Sequence, residues 1–232
     1  MTAGGSAAAL VARARAVIFD CDDTVIATAR TRWPVLIGVA RTFDVTLTED
    51  AILRAWGIPF NRFIETIVPT IDHDEFVARY RAAMQVRRPE PTTGARELLA
   101  HLFARSTRME IVTSSDRELI VQDLDALRLT GYFARIYGHE QTRHHKPDPR
   151  VLDVVVDNLG RCGYPLTDLV YIGDSVRDFQ VAAARSIEFV AVLSGVEPAA
   201  DFVAAGLARD RIVADLTRLL SSTGPARRAE QH

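Results

Sequence analysis

The sequence predicts a doubly wound α/β fold, in which a parallel sheet of Rossmann-like topology carries a small inserted helical domain. Three observations lead to this prediction. Short apolar runs of strand length recur along the chain, and each is apolar throughout, as in strands that a parallel sheet buries on both faces. Helical patterns with a 3.6-residue period separate these runs. The stretch 28–88 breaks the alternation, because it has helical patterns and no clear strand.

The strands are predicted in chain order from the apolar runs. The first strand is 16–19, and it ends directly before Asp20. The later strands are 109–113, 169–172, 189–193 and a short run at 211–213. Strands that alternate with helices are joined by right-handed crossovers, which gives a sheet with helices on both faces.

Two of the core helices carry start signals. Ser115 and Glu118 have the spacing of a capping box, which predicts a helix that Ser115 caps. Asp148 followed by Pro149 puts a capping side chain before a proline at the first helical position, ahead of an apolar stripe over 151–159.

The same patterns predict the domain organisation. Residues 16–27 and 89–220 form the core, and residues 28–88 form the inserted helical domain, which ends in the proline-rich linker 87–91. The helical patterns of the insertion are around 35–43, 49–56, 60–66 and 75–86. Residues 1–15 and the polar residues 221–232 are expected to be disordered tails.

Composition excludes several classes of function. The chain has 232 residues, of which 48% are hydrophobic and 25% charged, and its formal net charge is −2. We therefore expect no nucleic-acid partner and no anionic membrane partner. No apolar run approaches the ~18–20 residues of a membrane span. The two cysteines, Cys21 and Cys162, exclude a disulfide framework and a four-cysteine zinc site, and they favour a cytoplasmic location.

One lysine stands alone in this sequence. Of the 28 Lys and Arg residues only Lys146 is a lysine, so arginine supplies the ordinary surface charge. Lys146 lies in a turn between two histidines and two prolines, and a compact charge on a long stem can reach a phosphate or a carboxylate there. A solvated basic loop is the alternative reading, and the uniqueness of the lysine favours a functional one.

Acidic residues follow the first predicted strand. Asp20 and Asp22 lie on the same side of an extended chain and repel each other unless a cation or a proton relieves the repulsion. Asp23 adds a third acid. An isolated pair of this kind would favour a capping turn. The carboxyl end of a buried strand, however, is where α/β sheets bind ligands.

Two later strands also end in polar residues. Thr113-Ser114-Ser115 offers hydroxyls and backbone N–H groups that suit an anion, although capping by Ser115 alone is an alternative. Gly173-Asp174 follows a third strand, with Asp178 one helical turn on. Together with Asp20 and Asp22 these acids make a hard oxygen site of the kind that Mg²⁺ prefers.

The order of these motifs resembles that of the haloacid dehalogenase-like hydrolases. The matching residues are Asp20-x-Asp22-x-Thr24-Val25, then Thr113, then Lys146-Pro147, then Gly173-Asp174-x-x-x-Asp178. The resemblance covers about residues 16–220 and is greatest to the phosphoglycolate phosphatase-like branch with a small helical cap, which residues 28–88 would form. The sequence departs from the common pattern at Asp23, where glycine is more usual, so the local turn is in question.

The resemblance implies a Mg²⁺-dependent phosphatase that hydrolyses a small phosphorylated metabolite. Asp20 would be the nucleophile that forms an aspartyl-phosphate, and Asp22 the general acid and base. The metal would be held by Asp20, the backbone carbonyl of Asp22 and the carboxylate of Asp174, with Asp178 supporting them.

The resemblance also assigns the substrate-binding groups. Thr113, the backbone N–H of Ser114 and the ammonium of Lys146 would bind the phosphoryl oxygens. One or two cap arginines could contact an anionic tail of the substrate. The candidates are Arg30, Arg32, Arg41, Arg54, Arg62, Arg79 and Arg81.

Alternatives within and outside this family stay open. Asp22 favours phosphate chemistry over haloalkanoate cleavage, which needs no leaving-group acid, and the insertion has no lysine for a phosphonate-cleaving Schiff base. A phosphosugar mutase of the β-phosphoglucomutase type would use the same acids. A non-catalytic phosphate-binding module is the further alternative.

Overall fold

The structure of the chain is a computed structural model, and it describes residues 6–56, 58 and 60–220. The tail expected over 221–232 lies outside these residues. Six strands form one sheet, and they are β1 (Ala16–Phe19), β2 (Arg108–Val112), β3 (Arg135–Tyr137), β4 (Leu169–Gly173), β5 (Glu188–Val192) and β6 (Ile212–Val213). Every pair is parallel, in the order β3-β2-β1-β4-β5-β6. The predicted doubly wound α/β fold is confirmed.

Helices cover both faces of the sheet. The core helices are α1 (Ala7–Arg13), α6 (Ala95–Ala104), α7 (Arg117–Ala126), α8 (Asp153–Arg161), α9 (Val176–Ala184) and α10 (Ala199–Ala204). One apolar cluster lies between the sheet and α1, α6 and α7, and a second lies between the sheet and α8, α9 and α10. Strand β1 sends Val17 and Phe19 into the first cluster and Ile18 into the second. This burial on both faces is why its sequence is apolar throughout.

The inserted segment folds into four helices with an apolar core of their own. They are α2 (Thr28–Arg41), α3 (Glu49–Ala55), α4 (Phe60–Ile67) and α5 (His73–Val86). Their cluster includes Trp33, Leu36, Ile52, Phe63 and Phe76. The helices therefore form a small cap beside the sheet, held by apolar contacts independent of those of the core. In the part of the chain that the structure describes, no helix is long and apolar enough to cross a bilayer.

The two chain segments that join the cap to the core lie side by side. The Ala27 N–H donates to the Glu90 carbonyl at 2.8 Å, and the Thr92 N–H donates to the Val25 carbonyl at 3.0 Å. Between these hydrogen bonds Ile26 forms an antiparallel bridge with Pro91. The chain thus enters and leaves the cap through two hydrogen-bonded segments that lie side by side near the end of β1.

The structure corrects two sequence-based expectations and adds one strand. A disordered tail over 1–15 is wrong for α1, which buries Leu10 and Val11 against the sheet. Strand β3 was not predicted, because it has three residues and only Ile136 is aliphatic. Ser115 does not cap α7. Asp116 is the N-cap residue and makes no side-chain capping bond, and the Arg117 N–H donates to Glu140 instead.

Candidate active site

Lys146 lies at the centre of the candidate site. Its ammonium is 2.5 Å from Oδ1 of Asp20, just beyond β1, and 2.6 Å from Oδ1 of Asp178 on α9. All three side chains are buried. Burial alone would lower the pKa of Lys146, but Asp178 and Asp20 raise it well above its ordinary value, so the group is charged. The lone lysine of the sequence is therefore an internal ion-pair partner and not loop charge.

Asp174, directly beyond β4, brings a further carboxylate to Asp20 and Asp178. One carboxylate oxygen from each of the three residues lies within 4.8 Å of the others. Burial is the main cause that raises the pKa of Asp20 to about 8, and Lys146 opposes it while Asp178 and Asp22 add to it. Burial, with repulsion from Asp20 and Asp178, raises the pKa of Asp174 well above its ordinary value. Both carboxyls therefore need more positive charge than Lys146 supplies.

These carboxylates fit a divalent cation. Three acids face one ammonium in a buried pocket, an arrangement that costs energy unless a cation or protons balance it. Hard carboxylate oxygens are the ligands that Mg²⁺ prefers. Gly195, in the loop after β5, lies so close that a Cβ there would meet Oδ2 of Asp174 at 1.9 Å. A glycine is therefore needed to leave the Asp174 carboxylate its position.

Asp178 is held by more groups than Asp20 and Asp174, the other two clustered acids. Its carboxylate accepts hydrogen bonds from the Tyr171 hydroxyl at 2.7 Å and from the Ser175 hydroxyl at 2.6 Å, besides pairing with Lys146. A Cβ on Gly173 would meet this carboxylate at 2.8 Å. Glycine is thus required at 173 by the close approach of the Asp178 side chain.

The carboxylate of Asp22 has other partners than the three clustered acids. It accepts hydrogen bonds from the hydroxyls of Thr28 at 2.7 Å, Thr113 at 3.0 Å and Ser115 at 2.6 Å. Arg32 of α2 donates to its Oδ1 at 3.2 Å. Burial raises the pKa of Asp22, but Arg32 and the three hydroxyls outweigh it, so the net pKa lies below its usual value. Asp22 is therefore held in its ionised form.

The predicted phosphoryl-binding residues divide between two positions. Ser114 and Lys146 line the pocket that contains Asp20. The Thr113 hydroxyl follows β2 as expected, but it donates to Asp22 and accepts from the Ser115 N–H at 3.1 Å. The structure thus places Thr113 between the strand end and Asp22, where it orients the carboxylate.

Arg32 also ties the cap to the core. Its second amino group donates to Oδ2 of Asp123 on α7 at 2.7 Å, and Arg87, at the end of α5, binds Oδ1 of the same carboxylate. Arg32 is 4% exposed. Two cap arginines therefore meet two core acids in one buried network that includes Asp22.

Asp23 has the backbone conformation that explains the departure from glycine. Its φ is 56°, in the left-handed region that glycine adopts most readily and aspartate tolerates better than most residues. Its carboxylate accepts from the Ala29 N–H at 2.9 Å. Burial is the main cause that raises the pKa of Asp23 to about 7. The substitution therefore keeps the turn and adds a contact to the first turn of α2.

The site opens into a pocket of about 140 Å³ between core and cap. The acids and Lys146 of the core line it, together with mainly apolar side chains of the cap. Arg177, on α9, lines the pocket and donates to the Trp56 carbonyl of the cap at 2.6 Å. This pocket is where a ligand would reach Asp20.

The sequence analysis did not identify several residues that contribute to the site. Arg32 was considered only as a contact for a substrate tail, and Thr28, Arg177 and Gly195 were not singled out. Each acts through a contact with a residue distant along the chain or on another element, for which a single sequence has no local signal. The sequence predicts that Ser115 either belongs to an anion-binding set or caps a helix, whereas in the structure its hydroxyl donates a hydrogen bond to the Asp22 carboxylate.

Comparison with known proteins places these features in a family context. A model of the family described as haloacid dehalogenase-like hydrolase matches residues 17–192. A protein of Caldanaerobacter subterraneus subsp. tengcongensis, assigned as the pyrophosphatase PpaX, is 27% identical over 188 residues, which cover 79% of this chain and 83% of that protein. A phosphoglycolate phosphatase of Xylella fastidiosa is 28% identical over 202 residues, covering 78% and 81%.

A solved structure gives the same result for the fold. The protein comes from Bacteroides fragilis and is assigned as a haloacid dehalogenase-like hydrolase. It is 26% identical, with a TM-score of 0.75, and the match covers 89% of this chain and all of the other. The similarity therefore includes both the core and the cap.

Proposed function

The chain belongs to the haloacid dehalogenase-like hydrolase family, and from this premise we propose that it is a Mg²⁺-dependent phosphatase. It would hydrolyse a small phosphomonoester through an aspartyl-phosphate on Asp20. The observation that carries the proposal is the buried contact of the Lys146 ammonium with Asp20, beside two further carboxylates. The relatives named above are phosphatases, which supports the same class of reaction.

Asp20 is the proposed nucleophile. It lies at the end of β1 and lines the pocket. A carboxylate attacks phosphorus only when it is ionised, and the Lys146 ammonium favours that form against the effect of burial. In the first step an oxygen of Asp20 bonds to phosphorus as the bond from phosphorus to the leaving oxygen breaks.

Asp22 is the proposed general acid and base. In the first step it would give a proton to the leaving oxygen, and in the second it would take one from the water that attacks the aspartyl-phosphate. The ionised form that Arg32 favours is the form needed to accept the proton from water, and the proton taken up in that step is the one that Asp22 would give to the leaving oxygen of the next substrate. Thr28, Thr113 and Ser115 fix the orientation of the carboxylate for both steps.

The proposed Mg²⁺ site uses the buried acids. Asp20, Asp174 and the backbone carbonyl of Asp22 would hold the ion, which when bound supplies positive charge to the phosphoryl oxygens. Asp178 is occupied by Tyr171, Ser175 and Lys146, so its proposed role is to support Lys146 and the neighbouring ligands.

The proposed phosphoryl-binding groups are the Lys146 ammonium and the backbone N–H of Ser114. Both residues line the pocket beside Asp20. Positive charge and N–H donors there would offset the negative charge that develops on the transferring group. Both cysteines are free thiols, with Cys21 buried, which supports a proposed location in a reducing compartment such as the cytoplasm.

The test is hydrolysis of p-nitrophenyl phosphate with and without Mg²⁺. We expect turnover that is lost in excess EDTA and restored by added Mg²⁺. Calcium should restore it poorly, because its looser and higher coordination does not hold reacting groups in line. The variant Asp174→Asn should need more Mg²⁺ for half-maximal rate, and calorimetry should show weaker Mg²⁺ binding. Full activity in excess chelator would contradict the proposal.

The same preparation separates hydrolysis from phosphoryl transfer between sugar carbons. A coupled isomerisation assay with a sugar 1-phosphate detects a mutase, whereas release of inorganic phosphate detects a phosphatase. We expect phosphate release without isomerisation.

A further inference from the structure

The cap gives the pocket a mainly apolar wall. It includes Leu36, Leu53, Trp56, Phe60 and Phe63 from the cap and Val196 from the loop after β5. Leu53 and Val196 are 41% and 38% exposed, so large apolar side chains at this wall face solvent. Trp56 packs edge-on against Trp33 and Phe63, with 5.5 Å between ring centroids in each pair. These contacts hold the wall in a defined shape before any ligand binds.

The cap arginines do not supply a free cation to this wall. Among the described residues, Arg32 is the one cap arginine that lines the pocket, and its guanidinium is bound by Asp22 and Asp123. Arg54 and Arg79 pair with acids one turn away on their own helices. The expectation that cap arginines contact an anionic substrate tail therefore has no support in this geometry.

The remaining charges that line the pocket are unfavourable for a second anion. Apart from Lys146 and Arg32, Arg177 is the one cation among the described residues that line the pocket, and its guanidinium donates to the neutral Trp56 carbonyl. Asp116 and Glu197 also line the pocket, so two acids oppose one base. A carboxylate at this position would face net negative charge and would lose its hydration against apolar side chains.

Resting on the proposed function, we propose that the substrate is the phosphate monoester of an uncharged, apolar alcohol, whose leaving group packs against this wall. The phosphoryl group would lie at Asp20 and Lys146, and the alcohol carbon chain or ring would extend toward Trp56 and Leu53. The whole pocket has a volume of about 140 Å³, part of which the phosphoryl group would occupy. It therefore favours a short alkyl chain, because an engineered cavity of ~150 Å³ holds one benzene alone. A leaving group with a carboxylate, such as glycolate, is disfavoured.

A series of n-alkyl phosphates tests this proposal. Ethyl, propyl and butyl phosphate have leaving groups of nearly equal acidity, so differences in kcat/KM report burial of the chain. We expect kcat/KM to rise about fourfold for each methylene that the wall buries. Phosphoglycolate should be a poorer substrate than ethyl phosphate. The matching n-alkylphosphonates cannot be hydrolysed, and their calorimetric Kd should fall by the same factor per methylene.

Leu53 and Leu166 form a matched pair of variants. The two side chains are 41% and 38% exposed, respectively. Leu53 lines the pocket, whereas Leu166 lies just before β4, at the amino end of that strand. Leu53→Ser should reduce the butyl-to-ethyl ratio of kcat/KM at least about threefold, because burial of the chain is lost. Leu166→Ser should leave the ratio unchanged. Leu53→Arg should raise kcat/KM for phosphoglycolate relative to butyl phosphate.

The outcomes separate this inference from the proposed function. Hydrolysis of p-nitrophenyl phosphate with a flat alkyl series, or with phosphoglycolate as the best substrate, would overturn the inference and leave the phosphatase function standing. Absence of all turnover, with alkylphosphonates still bound more tightly as the chain lengthens, would overturn the proposed function and support the apolar site. Failure of both measurements overturns both.

Discussion

The guanidinium of Arg32, on a cap helix, lies 3.2 Å from Oδ1 of Asp22, which follows the central strand of the core. Both side chains are buried, and the second amino group of Arg32 binds Asp123 of the core. The proposed acid and base of the reaction is thus paired with a cation that belongs to the other domain. Asp22 keeps this partner only while cap and core are in contact.

Removal of Arg32 should destabilise the protein and slow the reaction. Arg32→Ala leaves Asp22 without its ion-pair partner in a buried site, which typically costs about 3–5 kcal/mol. Urea unfolding measures the loss, and kcat on p-nitrophenyl phosphate should fall as well. The control is Arg79→Ala, an exposed cap arginine paired with Glu75, which should cost no more than about 1 kcal/mol. If the two variants lost the same free energy of unfolding, the buried pair would contribute no more to stability than the exposed one.

Replacement of Asp20 by asparagine should abolish turnover and keep the fold. An amide does not attack phosphorus, whereas the neutral side chain relieves repulsion in the acid cluster. We therefore expect kcat below detection and a Tm in metal-free buffer no lower than that of the wild type. Mass spectrometry should exclude deamidation of the sample. Residual activity of even a few per cent in a clean sample would argue against a covalent intermediate.

Lys146 should not be replaceable by arginine. Its ammonium fits between Asp20 and Asp178 at 2.5 and 2.6 Å, where a planar and wider guanidinium would displace one of the two acids. We expect kcat of Lys146→Arg to fall about 10²–10³-fold, as is typical when one transition-state contact is lost. Lys146→Ala should lose as much activity and also stability, because it leaves two buried acids without their cation. An arginine variant as active as the wild type would show that only the positive charge of Lys146 matters, and not the shape of its ammonium group.

Glu110 should make the protein less stable as the pH rises. This side chain is buried on β2, where its Oε1 accepts from Arg108 at 2.7 Å and from Asn158 at 2.9 Å. Within the described residues its Oε2 has no hydrogen-bond partner, nor has the Tyr137 hydroxyl. Burial is the main cause that raises the pKa of Glu110 above its ordinary value, and Arg108 opposes it.

The folded state therefore binds the Glu110 proton more tightly than the unfolded state does. The contribution of this residue to stability is present at low pH and is lost as the pH rises through the folded-state pKa. Glu110→Gln should remove this loss and raise the free energy of unfolding at pH 8 by about 1 kcal/mol. Urea unfolding from pH 5 to pH 8 measures it. A variant whose stability falls with pH as steeply as that of the wild type would contradict the assignment.

The acidic part of the candidate site could be predicted from the sequence because its residues lie at strand ends. Asp20, Asp174 and Thr113 each follow an apolar run, and parallel strands bring such positions to one edge. Lys146 was found by a different signal, its uniqueness in composition. All four reach the predicted region, although Thr113 contacts Asp22.

The surroundings of Asp22 could not be predicted, because they depend on how the cap sits against the core. The contact of Arg32 with Asp123 joins residues 91 positions apart, and no periodicity within either helix records it. The predicted capping role of Ser115 failed for the same reason, since a hydroxyl that fits a helix cap equally fits a carboxylate on a neighbouring strand end. The local pattern is the same for both partners, and tertiary packing decides between them.

The hydrogen bond between Ala27 and Glu90 joins the two ends of the cap, so the cap is inserted into the core at a single place. Because the points of entry and exit are one hydrogen bond apart, the intervening residues can grow, shrink or be exchanged while β1 and its acids stay in register. A graft at this junction would keep the residues proposed for phosphoryl transfer and replace the surface proposed to select the alcohol. Asp22 is the exception, because its partner Arg32 belongs to the cap. A new cap must supply another cation to Asp22, or the pKa of Asp22 will change.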